Sequence, residues 1–207
     1  EIGSHSNLHT HAYNQTRDEF KVDLEKSIKT IEDITGKKVK YYRAPGFSLK
    51  ESNKWVFSEL INQGIEIDCS IFPASRAHGG FESFPSKSPV IVSVSGRNIK
   101  EFPINTISLL GKNLIFSGGG YFRLIPYPLI KILTKRSEYI MTYFHPRDFD
   151  FNQPMINDLS KIRKFKSYYG LKNAFEKLEK LIKEFDFIDL NEANQKFNWK
   201  ISEIIKI

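Results

Sequence analysis

Between residues 16 and 70 the chain alternates helix, strand, helix, strand, and that order leaves few folds open to it. Thr16 can cap a helix, with Glu19 three residues on completing a capping box. Phe20, Leu24, Ile28 and Ile31 then recur at helical spacing, and Gly36 ends the run. Residues 38–42 alternate as a strand does. Residues 52–63 read as a second helix, with Trp55, Leu60 and Ile61 turned inward and Gly64 as its stop. Residues 65–70 read as a second short strand. Parallel strands need a helical crossover, so this alternation predicts parallel βα units.

The rest of the chain is less regular. Prolines, glycines and short Val/Ile runs over residues 73–103 predict a long excursion with β-hairpin character, and residues 105–116 hold further short strands. A glycine run at Gly118 to Gly120 leads toward a helix over residues 126–135. Residues 138–144 are almost continuously apolar and predict a central strand. Residues 171–185 predict an amphipathic helix, with Phe175, Leu178, Leu181 and Ile182 on one side. Residues 187–190 read as a last strand, followed by a charged tail. A length of 207 residues suits one core, and no linker divides it, so a single domain over residues 1–207 is expected.

Composition narrows the function classes. The net charge of +7 favours an acidic partner, but the lysines are spread over helical stretches, so nucleic acid is not the expected ligand. An aromatic content of 14% suits a packed α/β core or a carbohydrate-stacking cleft. The one cysteine, Cys69, excludes an internal disulfide. No apolar run reaches transmembrane length, and no signal peptide is visible.

The chemistry-bearing residues fall at predicted strand ends. His5, His9 and His11 lie within seven residues, after a Glu-Ile-Gly-Ser stretch that reads as the end of a buried strand. His5 and His9 are four apart, which on a helical turn would put two imidazoles on one face, and neutral imidazole is a common ligand for zinc. For an isolated pair, a surface loop that happens to hold histidines is the favoured reading. Arg43-Ala-Pro, Asp68-Cys-Ser and His145-Pro follow three later strands. Each has a plain reading: a salt-bridging arginine, a turn-capping aspartate, a satisfied core histidine. Polar residues at successive strand ends are more readily explained by a metal-dependent hydrolase than by packing. Asp148 reads equally as a supporting group or a turn former. The glycine run lacks a Walker lysine and dinucleotide spacing, so it reads as a substrate rim or a tight turn. His11 and His78 carry no specific role.

Together these motifs resemble the polysaccharide deacetylases of the carbohydrate esterase 4 type. Glu-Ile-Gly-Ser-His-Ser-Asn-Leu-His is similar to that family's metal-binding motif, Tyr-Arg-Ala-Pro-Gly-Phe to its arginine–proline motif, and Tyr-Phe-His-Pro to its late histidine motif. Arg-Ala-Pro-Gly-Phe-Ser, Asp-Cys-Ser-Ile-Phe-Pro, Gly-Gly-Gly-Tyr-Phe-Arg and Phe-His-Pro-Arg-Asp-Phe-Asp resemble a branch tied to exopolysaccharide loci. The resemblance implies a distorted (β/α) barrel, incomplete at its N-terminus, that hydrolyses N-acetyl groups on amino sugars of a surface or exported polysaccharide. It implies His5 and His9 as ligands of a divalent metal, Zn²⁺ first. Arg43 would orient the catalytic aspartate, and Asp68 would hold and tune His145, the acid that protonates the leaving amine. Pro45, Tyr121 and the backbone around Phe47 would meet substrate.

One departure matters. The family's first motif is an aspartate pair supplying the catalytic base and third metal ligand, and nothing before Glu1 provides it. The chain is therefore expected to be an internal piece of a longer protein, inactive alone. The alternatives are an inactive carbohydrate-binding homologue and a polysaccharide-assembly factor acting through protein contacts. The compartment expected is bacterial cytoplasm or cell envelope, the cytoplasm preferred.

Overall fold

The computed structural model describes residues 1–76, 79–109 and 112–207, so the reading of His78 lies outside the described residues. These divide into two compact units, residues 1–114 with 189–207, and residues 115–188.

The elements run α1 (Arg17–Thr35), β1 (Tyr41–Tyr42), α2 (Trp55–Asn62), β2 (Ile67–Asp68), β3 (Val90–Val94), β4 (Arg97–Glu101), β5 (Ile107–Leu109), β6 (Lys112–Leu114), α3 (Gly119–Leu124), α4 (Tyr127–Lys135), α5 (Lys161–Tyr168), α6 (Ala174–Glu184), α7 (Leu190–Lys196) and β7 (Ile204–Lys206). The fold is α/β. In the first unit α1 starts on the expected capping box: Thr16 Oγ1 accepts from the Glu19 N–H at 3.3 Å, and the Glu19 carboxylate accepts from the Thr16 N–H at 2.7 Å. Phe20, Leu24 and Ile28 are buried, and Asp23 and Ser27 share that face. In α2 the buried residues are Val56, Phe57, Glu59 and Leu60, while Trp55 and Ile61, expected inward, are half-buried. Arg17 ties the two helices, donating from Nε to Glu59 Oε1 at 2.6 Å.

Five strands form one sheet in the order β1-β2-β4-β3-β7. β1 runs parallel to β2, β2 to β4, and β3 to β7, while β3 and β4 make the hairpin expected within residues 73–103. Ser4 adds a parallel bridge to Tyr42. Register therefore aligns Ser4, Tyr42, Asp68 and Glu101 in one buried row across the sheet.

Two expectations fail. Residues 138–144 carry no assigned strand; Tyr143 makes an isolated parallel bridge to Gly118. Of this run Tyr143 is buried, and Phe144 joins Phe122, Phe149 and Phe175 of the second unit in a ladder of ring contacts 5.0, 5.3 and 6.2 Å apart. Residues 187–190 are not a strand either. Asp189 caps α7 by accepting from the Glu192 N–H at 2.8 Å, and the last strand is β7, which pairs with β3. The helix expected over residues 171–185 is present as α6, but only part of its stripe is covered: Leu181 is buried and Ile182 is 56% exposed.

The Phe20 ring is the hub of the α1 face, edge-on to Tyr42 at 6.0 Å and to Trp55 at 5.6 Å. Phe20→Ala should cost about 3–5 kcal/mol in urea unfolding of the protein, because the neighbouring rings cannot collapse into the space. Exposed Val22→Ala on the same helix should change little.

Candidate functional site

His5 and His9 come together, but not on a helix. Residues 4–9 are a loop in which Ser6 and His9 both take positive φ, 72° and 57°. A non-glycine residue in that region is strained, and here two occur within four residues. The loop is held from α1. Asp23 accepts the Asn7 N–H at 2.9 Å and the Leu8 N–H at 2.8 Å, and Ser27 Oγ meets Ser4 Oγ at 2.8 Å. The His9 N–H donates to Ser6 Oγ at 3.0 Å. The result sets the two imidazoles edge-on, with ring centres 5.1 Å apart.

His5 Nδ1 lies 2.6 Å from the Arg43 carbonyl oxygen. A carbonyl can only accept, so Nδ1 carries the proton and the neutral ring keeps its lone pair on Nε2. That is the tautomer a metal-ligating histidine adopts when its other nitrogen is pinned. His5 thus presents a ligating nitrogen on a loop whose other imidazole, His9, stands beside it. Among the described residues no cluster of three His, Cys, Asp or Glu side chains could hold a metal.

Arg43 is half-buried and its backbone is anchored, its N–H donating to Ser4 O at 3.1 Å. Its Nε donates to Cys69 O at 3.2 Å, and the guanidinium stands 5.6 Å from the Phe47 ring centre. Pro45 and Phe47 are both buried, the Phe47 ring packing on Phe72 at 5.4 Å. The Phe47 N–H donates to Ala44 O at 3.1 Å, and Phe47 sits at φ 53°. His11, read as incidental, packs against Gly46, where an added Cβ would stand 2.7 Å from Nε2. Its Nδ1 bonds the Tyr13 hydroxyl at 2.9 Å.

Asp68 is fully buried. Ser70 Oγ donates to its Oδ1 at 2.5 Å and in turn accepts the Ala44 N–H at 2.7 Å. Burial pushes the Asp68 carboxyl above the usual range. Burial also pushes the neighbouring Cys69 thiol up to about 12.

His145 belongs to the second unit, and the carboxylate beside it there is Asp148. Asp148 Oδ2 accepts the His145 N–H at 3.0 Å and lies 3.5 Å from Nδ1. Asp148 Oδ1 is 3.2 Å from Nε of Arg123. Arg123 is itself buried and spends its other donors on the carbonyls of Lys166, Ser167 and Tyr169, each at 2.9 Å. Burial alone would raise Asp148; the bonds from His145 and the Arg123 charge outweigh it and hold the carboxyl below its ordinary value. Tyr121 is exposed on α3, and Gly118 lies so close to Tyr143 that a Cβ would stand 2.3 Å from its carbonyl oxygen. The glycine run is thus a close approach of two backbones that opens α3.

Residues 69–195 match a domain of unknown function, DUF3473, and residues 1–64 match the polysaccharide deacetylase family. The chain belongs to the DUF3473 family, and its first 64 residues are similar to polysaccharide deacetylases. A candidate polysaccharide deacetylase from Mycobacterium smegmatis shares the fold, with a TM-score of 0.58 at 16% identity over 100% of this chain. The chain spans 66% of that structure's length. No curated protein matches.

Two supporting residues lay outside the motifs, Asp23 and Glu101, while Arg123 and Asp148 lay inside quoted motifs without their pairing being foreseen. Asp23 was visible as a carboxylate on the apolar stripe of α1. Glu101 was visible as a charge at the inward phase of a strand, two residues after Ile99.

Two outcomes follow from these surroundings. Cys69 should resist iodoacetamide at pH 8 in the folded protein and react once denaturant is added, since its thiol stays protonated well above that pH. Asp148→Asn should destabilise the protein at neutral pH. A depressed carboxylate adds stability above its unfolded value near 4 and loses it as pH falls through the folded value, so the deficit measured by thermal unfolding should shrink below about pH 4.

Proposed function

We propose that the protein takes part in removing N-acetyl groups from amino sugars of a surface or exported polysaccharide, with a divalent metal, Zn²⁺ first, held by His5 and His9. The observation that carries this is the His5 Nδ1 bond to the Arg43 carbonyl with the His9 ring beside it, which prepares a nitrogen pair for an ion. The similarity of residues 1–64 to polysaccharide deacetylases supports the substrate class.

A divalent metal bound there would lower the pKa of a water and polarise the amide carbonyl. The chain's own part is to hold and orient. Asp23 fixes the strained histidine loop from below. Arg43 offers its carbonyl to His5 and its guanidinium, over Phe47, to a reacting carboxylate. The backbone turn at Phe47 and Pro45 shapes the edge where substrate passes, and Tyr121 offers an exposed ring for stacking on sugar. Asp68 braces the Arg43 turn through Ser70. His145 is assigned the proton transfer to the leaving amine, with Asp148 fixing its ring and Arg123 keeping Asp148 ionised.

A second reading, an inactive carbohydrate-binding homologue, is favoured by one observation: two histidines fall short of the three protein ligands usual for catalytic zinc, among the described residues. Elemental analysis separates the two readings. Under the first, the full-length protein carries one equivalent of divalent metal, His5→Ala abolishes it, and Arg43→Ala keeps it while acetate release falls. Equal metal in wild type and His5→Ala would remove the first reading. If His145 is the acid, His145→Ala should slow amide hydrolysis by roughly 10²- to 10⁴-fold. Hydrolysis of an activated phenyl ester, whose leaving group needs no proton, should suffer far less. Parallel losses on both substrates would return His145 to a packing role.

A further inference from the structure

Glu101 lies beside Asp68 in register on the neighbouring parallel strand, and both side chains are 0% exposed. Each uses one oxygen well. Asp68 Oδ1 accepts from Ser70 Oγ at 2.5 Å, and Glu101 Oε1 accepts the Ile71 N–H at 3.1 Å. Their remaining oxygens, Asp68 Oδ2 and Glu101 Oε2, are buried and meet no donor among the described residues. Two buried, unsatisfied acceptors on adjacent strands make a costly arrangement unless something stands between them. One proton is enough to satisfy both, turning two repelling carboxylates into an acid–carboxylate hydrogen bond.

We infer that Glu101 is a positioning residue, protonated at neutral pH, whose proton is shared with Asp68 and whose pairing fixes the strand-end turn that carries Arg43 and the tautomer of His5. This rests on the proposed site, though the shared proton does not depend on the reaction. Burial first, and then the Asp68 charge, push Glu101 well above the carboxylate range, and the two groups bond through their side chains. The other titratable or charged groups facing the pair are Tyr42 on β1, the Cys69 thiol, which burial keeps neutral, and Arg43, whose charge acts on Cys69.

The linkage to the site is a continuous run of hydrogen bonds. The pair holds Ser70 and Ile71, and Ser70 Oγ accepts the Ala44 N–H at 2.7 Å. Arg43, next in the chain, donates from Nε to Cys69 O and offers its own carbonyl to His5 Nδ1 at 2.6 Å. A second negative charge at Glu101 would drive the two strand ends apart beneath that turn.

Three measurements test the inference. Infrared spectra at pH 8 should show a protonated carboxyl C=O band in the wild type that Glu101→Gln removes; absence of the band in wild type, or its persistence in Glu101→Gln, overturns the shared proton. Thermal stability should agree. A carboxylic acid whose folded pKa is raised loses stability as pH rises from about 4 toward the folded value, so the advantage of Glu101→Gln over wild type should grow with pH; an advantage that stays flat counts against the pair. For the positioning role, ¹⁵N NMR of His5 should show the single Nδ1–H tautomer in wild type and Glu101→Gln. In folded Glu101→Leu that tautomer should be averaged, with kcat for deacetylation down about 10²-fold and KM little changed. Retention of both tautomer and kcat in folded Glu101→Leu overturns it. Should Glu101→Leu fail to fold, Glu101→Gln decides: loss of the tautomer there, despite the retained donor, also overturns it. A full-length wild type that releases no acetate yet shows the band and the tautomer would sink the proposed function and leave this inference standing.

Discussion

The carbonyl oxygen of Arg43 is the point on which the first unit's polar architecture turns. It accepts from His5 Nδ1, while the Arg43 N–H donates to Ser4 and its Nε donates to Cys69. One residue thereby links the histidine loop, β1 and the end of β2. Because the strands here are only two residues long, ladder hydrogen bonds alone would leave their ends free to fray. The side-chain braces from Asp23, Ser27, Ser70 and the Asp68–Glu101 pair take over that work.

Burial decides which of these braces is cheap and which is costly. Asp23 accepts two backbone N–H groups, so its charge is matched where it stands. Asp68 and Glu101 face one another across the sheet, each with one oxygen buried and without a donor among the described residues, and on the inference above a shared proton relieves that repulsion. The strained φ of Ser6 and His9 is held by bonds from outside the loop, as strained backbone at functional sites generally must be.

The second unit uses a different device. Arg123 is buried and reaches the three carbonyls at the end of α5 while also pairing with Asp148. A planar guanidinium suits this, since its donors fan out in fixed directions and its charge never leaves. Lys177 supports it, donating to the Arg123 carbonyl at 2.7 Å and the Ile125 carbonyl at 2.9 Å. His145 is therefore seated on a carboxylate that is itself held by a helix end, and the aromatic ladder from Phe122 to Phe175 carries the packing around it.

The sequence by itself determined the elements governed by local chemistry and the motif positions. Thr16, Glu19 and Gly36 bounded α1, the apolar period chose its buried face, and His5, Arg43, Asp68 and His145 were legible as polar residues following apolar runs. The apolar run over residues 138–144 misled, because a continuous hydrophobic stretch is equally satisfied by a strand ladder or by ring packing, and only tertiary context chooses. The spacing of His5 and His9 suggested rings on one helical face, and the rings do lie together, but on a loop. Their rings meet through left-handed turns braced by Asp23, and no periodicity encodes that. Glu101 could not be paired with Asp68 beforehand, since parallel register across 32 residues of intervening chain is set by how β2 and β4 pack. The tertiary structure alone decided which carboxylates became neighbours, because in a buried row the partner across the strand, not the one along the chain, sets the charge.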